Sequence, residues 1–117
     1  LADQSAVVAA SALEVAGAHA ADGISIKLAT SGGIGHAQQM DAIARAAHLS
    51  TMVGCVHEPA LLIAAELAFA LSSPVVRYGD LDGHFDLVDD PTRMGFRQEA
   101  GWLIATDVPG LGCVVEL

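Results

Sequence analysis

Lysine occurs once in these 117 residues, at Lys27, and the only other basic side chains besides histidine are Arg45, Arg77, Arg93 and Arg97. Five basic residues against 14 Asp and Glu leave a formal net charge of −9. That balance repels a phosphate backbone or an anionic membrane face, so nucleic acid is excluded as a natural partner. It suits a divalent cation or a cationic group on a small ligand. Cysteine is scarce too: Cys55 and Cys113 stand alone, with neither a CxxC pair nor a dense framework. A disulfide scaffold is therefore excluded, and reduced thiols in a cytoplasmic setting are expected. No apolar run reaches the roughly 20 residues that cross a bilayer. The longest, Pro59 to Leu71, is interrupted by Glu66. The chain opens on Leu1 without an initiating Met, a basic leader or an apolar leader core, so its natural start is expected elsewhere.

What is abundant is apolarity. Hydrophobic residues make up 53% of the chain, charged residues only 16%, and mean hydropathy is +0.50. Such a composition cannot be a disordered tail and must bury most of itself. The length is that of one domain or of a piece of a larger one. A short chain keeps a large share of its surface exposed even when folded. This much apolarity therefore predicts faces that something else covers.

Read for period, the chain alternates. Short β-rich runs at Leu1 to Asp3, Ile24 to Leu28, Thr51 to Cys55 and Val75 to Tyr78 are separated by Ala-rich stretches at about Ala9 to His19, Ile34 to His48 and Pro59 to Leu71. Each interval has the length of one βα unit, which predicts a parallel α/β fold. In the second stretch Met40, Ile43, Ala44 and Ala47 form an apolar stripe, with Gln38, Gln39, Asp41 and Arg45 on the wet side. The third opens with Glu58 and Pro59, suited to a first turn, and is apolar nearly all round, as in a helix buried on several sides. Beyond Gly79, Gly and Pro punctuate short runs. Phe85 to Val88, Trp102 to Ala105 and Cys113 to Glu116 read as strands. Four βα units are half of the eight that close a (β/α)₈ barrel. The expected division is a half-barrel over residues 1–88 and a docking tail over 89–117.

In parallel α/β folds chemistry collects at the carboxyl ends of the strands. Those ends carry Asp3-Gln4-Ser5, Lys27, Gly54-Cys55-Val56-His57-Glu58 and Asp80-Leu81-Asp82. Lys27 shares a strand face with Ser25, opposite Ile26. A lysine in an apolar strand is costly unless carboxylates meet it, and burial can lower a lysine pKa into the range of a general base. It could equally be a snorkelling or purely stabilising side chain. Asp3 alone reads as a helix cap, and Asp80 and Asp82 alone as turn residues. Together with Lys27 they make a set of acids and one base at the same mouth. Cys55 and His57 invite a nucleophile or zinc reading, but His19, His36, His48 and His84 lack ligand spacing. Ser31-Gly32-Gly33-Ile34-Gly35 matches neither the dinucleotide nor the Walker pattern, and reads as a turn after Lys27.

Taken in order, Asp3-Gln4-Ser5, Ile26-Lys27-Leu28 with Gly32-Gly33, Met52-Val53-Gly54-Cys55 with Glu58, Asp80-Leu81-Asp82-Gly83 and Pro109-Gly110-Leu111-Gly112 resemble the C-terminal half of an enolase-superfamily enzyme. The type is that of muconate lactonizing enzyme and mandelate racemase, nearest to the dipeptide epimerases. The resemblance covers almost the whole chain.

It implies strands five to eight of the barrel, followed by a tail that packs on a capping domain. It implies Mg²⁺ as cofactor with Asp3 as one carboxylate ligand, Lys27 as an acid/base catalyst on one face of the substrate, and Asp80 and Asp82 as the partners of a dipeptide's α-ammonium. Taking a proton α to a carboxylate builds negative charge that a divalent cation stabilises, and sites of this superfamily combine a Lys or His base with Mg²⁺. Gln4 departs from the Glu usual beside the metal ligand. The family's other metal carboxylates and its second catalytic lysine have no counterpart here, so partners are expected in the other half-barrel and a capping domain. A homo-oligomer acting on a dipeptide or another small carboxylate, with no nucleic acid and no membrane, completes the expectation. The alternatives are a cycloisomerase or o-succinylbenzoate synthase activity, which would not call for Asp80 and Asp82, and a non-catalytic half-barrel module.

Overall fold

The computed structural model describes residues 1–116. Helix α1 (Ala9–Gly17) leads to strand β1 (Gly23–Ile26), a short helix α2 (Leu28–Ser31), helix α3 (Ile34–Ala46), β2 (Ser50–Gly54), α4 (Ala60–Ser72) and β3 (Val76–Asp80). A 3₁₀ turn over Gly83–Asp86 then precedes β4 (Thr92–Arg93), β5 (Phe96–Glu99), β6 (Trp102–Ala105) and β7 (Val114–Val115). β1, β2 and β3 form a parallel sheet in that order. The first expected strand is reduced to a single parallel bridge, Ala2 to Ile24, held by Ala2 N–H to the Gly23 carbonyl and Ser25 N–H to the Ala2 carbonyl, 2.8 Å each. With it the architecture is the expected α/β half of a (β/α)₈-type barrel.

β1 is buried along its whole length, as a parallel strand covered on both faces must be. Ile24 and Ile26 join Val53, Met40, Ala37, Ala44, Ala12 and Phe69 in the main core between sheet and helices. Ser25, by alternation, faces the other way. α4 is buried on more than one side, as its sequence predicts: Ala65 and Phe69 pack on the main core, while Ile63, Ala64 and Leu67 hold Phe96. Through Phe96, Leu103, Leu111 and Cys113 the chain beyond residue 88 packs on α4.

Three expectations change. Phe85 to Val88 is not a strand: the 3₁₀ turn takes Phe85 and Asp86, Leu87 and Val88 follow it as irregular chain, and the fourth unit has no α-helix. Turn chemistry in Asp82-Gly83 wins there. Gly83 lies so close to Val56 that a Cβ would overlap the Val56 carbonyl oxygen, which leaves no room for a sheet-like path. Asp41, expected on the wet face of α3, is buried and pairs with Arg45, 3.2 Å away, and with the Ser73 hydroxyl. Glu58 does not serve the first turn of α4 but is buried. That role falls to Asp90, which accepts the Ala60 N–H at 2.7 Å and the Thr92 N–H at 2.9 Å. Leu117, the end of the expected tail, lies outside the described residues.

The Ala60 amide holds the Asp90 carboxyl below its usual range, against partial desolvation and with help from Thr92. A depressed folded value stabilises above the unfolded pKa and is lost as pH falls through the folded one. Asp90→Ala is therefore expected to cost about 1 kcal/mol at neutral pH, read as a lower denaturation midpoint. Variant and wild type should converge in acid. Equal midpoints at neutral pH would remove Asp90 as the tether of the tail.

Candidate active site

In-register pairing gathers the strand ends. Ile26 pairs with Val53 and Gly54 with Asp80, so the next residue along, Lys27, stands beside Gly54. The contact is direct: a Cβ on Gly54 would meet Lys27 Cε at 3.2 Å and Ser25 Oγ at 3.4 Å. The missing side chain at Gly54 is what lets the lysine stem lie across the sheet. Its Nζ reaches Asp3 Oδ2 at 3.1 Å, with Lys27 16% and Asp3 44% exposed. The lysine is thus packed along its stem and met by a carboxylate at its tip. Asp80 is exposed at the end of β3, in the same row and on the same face by register. Asp82, two residues on, lies 3.7 Å from the Cys55 thiol, and Cys55 Sγ accepts the Gly83 N–H at 3.3 Å.

The structure therefore brings Asp3 and Lys27 into contact and places Asp80 and Asp82 at the same end of the sheet. Gln4 is exposed. The turn expected over Ser31 to Gly35 shrinks to Gly32 and Gly33, between α2 and α3, with φ of 89° and 96°, a region costly for other residues. Cys55 and His57 take separate partners: His57 Nε2 lies 3.1 Å from Asp86 Oδ2 on the exposed surface. Burial pushes the Cys55 thiol up, against the lowering effect of the Gly83 and Asp82 amides. A protonated thiol is a poor nucleophile, so that reading falls.

Behind Lys27 lies a group that sequence reasoning missed. Glu66 on α4 is wholly buried, and its Oε1 accepts the Leu28 N–H at 3.0 Å, one residue beyond the lysine. Glu58 is buried as well. Desolvation pushes the Glu66 carboxyl up to about 9, reinforced by the neighbouring Glu58 carboxyl, while the Leu28 amide and Lys27 pull the other way. The available signal was that Glu66 is the only charge within an otherwise apolar helix.

For a cation, the donor set is short. Among the described residues no group of three or more His, Cys, Asp and Glu side chains could hold a metal ion. Mg²⁺ wants an octahedron of oxygens. Asp3, half exposed at the strand end, fits as a single ligand and no more.

A carboxyl with a raised folded pKa stabilises fully below its unfolded value, near 4.5, and loses that contribution as pH rises toward about 9. Stability should therefore fall across that window by up to about 1.4 kcal/mol per pH unit, the effect of one proton. Glu66→Gln should flatten the slope in melting-temperature measurements. A wild-type curve that is already flat would mean that Glu66 is ionised.

Comparison with known proteins bears on the family and the fold. Residues 1–116 match the enolase C-terminal domain-like family. The L-Lys-D/L-Arg epimerase of Methylococcus capsulatus is 45% identical over 114 residues, which are 97% of this chain and 32% of that protein. The L-Ala-D/L-Glu epimerase of Bacillus subtilis is 33% identical, with 97% and 31% covered. The solved dipeptide epimerase from Methylococcus capsulatus, complexed with Mg and the dipeptide L-Arg-D-Lys, superposes at a TM-score of 0.92 with 42% identity, covering 96% of this chain and 32% of that one. The substrate-liganded Bacillus subtilis enzyme gives 0.91 at 33% identity, with 97% and 32% covered. The chain thus spans about a third of the length of these relatives. No helix among the described residues is long and apolar enough to cross a membrane.

Proposed function

That this chain belongs to the enolase C-terminal domain-like family is the premise from which we propose that it supplies half of the active site of an Mg²⁺-dependent dipeptide epimerase. The observation that carries the reading is the Lys27–Asp3 pair at the strand ends, 3.1 Å apart, in the row that also holds Asp80. Lys27 has a stem fixed by packing and a tip held at the strand ends by Asp3, which suits a group that takes or returns a proton at the substrate's α-carbon. Asp80 and Asp82 give an ammonium two charged acceptors. Asp3 would contribute one carboxylate to the cation, the other ligands coming from outside this chain. When bound, the cation would stabilise charge developing on the substrate carboxylate.

The division at residues 88 and 89 belongs to the same reading, with the segment beyond it serving as the link to a capping domain. The rest of the barrel would continue the sheet along β3, whose outer side borders a groove of about 760 Å³ lined by Leu71, Tyr78, Phe85 and Trp102. Those side chains are 58 to 73% exposed, a costly arrangement unless another layer covers them. A cytoplasmic location is supported by the free thiols Cys55 and Cys113. Identity is higher to the L-Lys-D/L-Arg epimerase than to the L-Ala-D/L-Glu enzyme, and the chain is strongly acidic. Dipeptides with cationic side chains therefore head the substrate panel.

The test follows α-proton exchange in D₂O by the full-length protein that carries this chain. Exchange from dipeptides is expected, and exchange confined to non-peptide acids would sink the proposal. Lys27→Ala should abolish exchange from one epimer, a loss on the order of 10²-fold or more, and leave some from the other. Asp80→Asn and Asp82→Asn should raise KM more than they lower kcat. If Lys27→Ala leaves both epimers exchanging at the wild-type rate, Lys27 is not the base.

A further inference from the structure

We propose that Glu66 is a positioning residue for Lys27: it shares one proton with Glu58 and anchors the Leu28 amide, and so fixes the backbone from which the lysine reaches Asp3. The inference rests on the proposed role of Lys27 and goes beyond it. Three carboxylate oxygens, Oε2 of Glu66 and both of Glu58, are buried and lack a hydrogen-bond partner when both groups are acceptors only. Ionised carboxylates cannot pair with each other. A single proton turns one into a donor, so that Glu66 Oε2 pairs with one Glu58 oxygen and only the other Glu58 oxygen is left over. Both are nearly inaccessible, Glu66 at 0% and Glu58 at 3%, so water does not offer the easier solution.

The remaining Glu66 oxygen, Oε1, is committed to the Leu28 N–H at 3.0 Å. Leu28 opens α2, whose four residues are too few to hold themselves, and Lys27 is the residue at its N-terminal cap. No side-chain hydrogen bond caps α2 from within. Glu66 therefore supplies from α4 what the local sequence does not. The charged and titratable groups around it are Glu58 before α4, Lys27 at the end of β1, and Cys55 after β2. With one shared proton the pair carries a single negative charge, which leaves Lys27 extended toward Asp3 instead of drawn back to two buried carboxylates.

A neutral carboxyl is matched by an amide, which can accept from Leu28 and donate to Glu58. In the full-length protein, Glu66→Gln should keep kcat for α-proton exchange within a few-fold of wild type. Glu66→Leu, which can do neither, should lower kcat on the order of 10²-fold with KM little changed. Infrared difference spectra at neutral pH provide a readout independent of activity. The wild type should show a protonated-carboxyl band that disappears in Glu66→Gln and also in Glu58→Gln, because the proton belongs to the pair.

A folded Glu66→Gln as inactive as Glu66→Leu would overturn the proposal, since the charge would then be needed. A band that persists in either Gln variant would overturn it too, and that measurement stands even if Glu66→Leu does not fold. If the wild-type protein exchanges no α-proton from any dipeptide while the band behaves as expected, the proton-sharing pair survives and the epimerase reading fails.

Discussion

The row of acids and the single lysine at the strand ends depends on the registered parallel pairing of β1, β2 and β3. Because the strands run in one direction and Ile26 sits opposite Val53 while Gly54 sits opposite Asp80, residues far apart in sequence leave the sheet on one row. A slip of β1 by one residue would turn Lys27 to the helix side among Ala37, Met40 and Ala44, and turn Ile24 and Ile26 out of the core. The hydrophobic alternation that fixes the core therefore also fixes the chemistry. Gly54 completes the arrangement by omission, since any side chain there would crowd the lysine stem.

The same pairing explains the excess of apolar residues. A sheet of three strands and one bridge buries β1 fully but leaves β3 mostly exposed. Its outer side and the adjacent face of α4 carry Tyr78 and Leu71 into a groove shared with Trp102. An uncovered parallel sheet is unusual, because parallel strands are normally covered on both faces. An open, apolar strand edge also invites pairing with another chain. The composition of the segment, 53% hydrophobic at 117 residues, is what a layer lying inside a larger barrel requires.

How much of this was legible in the sequence follows from the range of each interaction. The alternation of strands and helices rests on periods of a few residues, and Lys27, Asp3, Asp80 and Asp82 stand at strand ends that the spacing predicts. The features that were missed depend on how elements dock. Asp90 meets the first turn of α4 from 30 residues away, and nothing near Pro59 announces it. Asp41 is buried because Ser73 arrives beside it, although its place in the α3 stripe assigns it to water. Phe85 to Val88 has the composition of a strand, but Gly83 packs against Val56 and directs the chain into a 3₁₀ turn. Glu66 was visible as an anomaly in an apolar helix. Its orientation toward Leu28 was not, because the rotation of α4 about its own axis is set by the sheet beneath it.

That anomaly bears on why the active end of the sheet tolerates so many acids. Lys27 meets Asp3 at its tip, and Glu66, with Glu58 as its neighbour, holds the Leu28 N–H one residue along. Three ionised carboxylates around one ammonium, two of them in a medium that screens poorly, would repel one another more than a single lysine could offset. A proton held between Glu58 and Glu66 removes one charge at the most buried point, where ionisation costs most. The exposed carboxylate, Asp3, then remains the charged partner of Lys27. Burial thus sorts the acids by depth: the deep pair, sharing one proton, acts as a singly charged brace, and the shallow ones, Asp3, Asp80 and Asp82, lie where a cation or an ammonium can reach them.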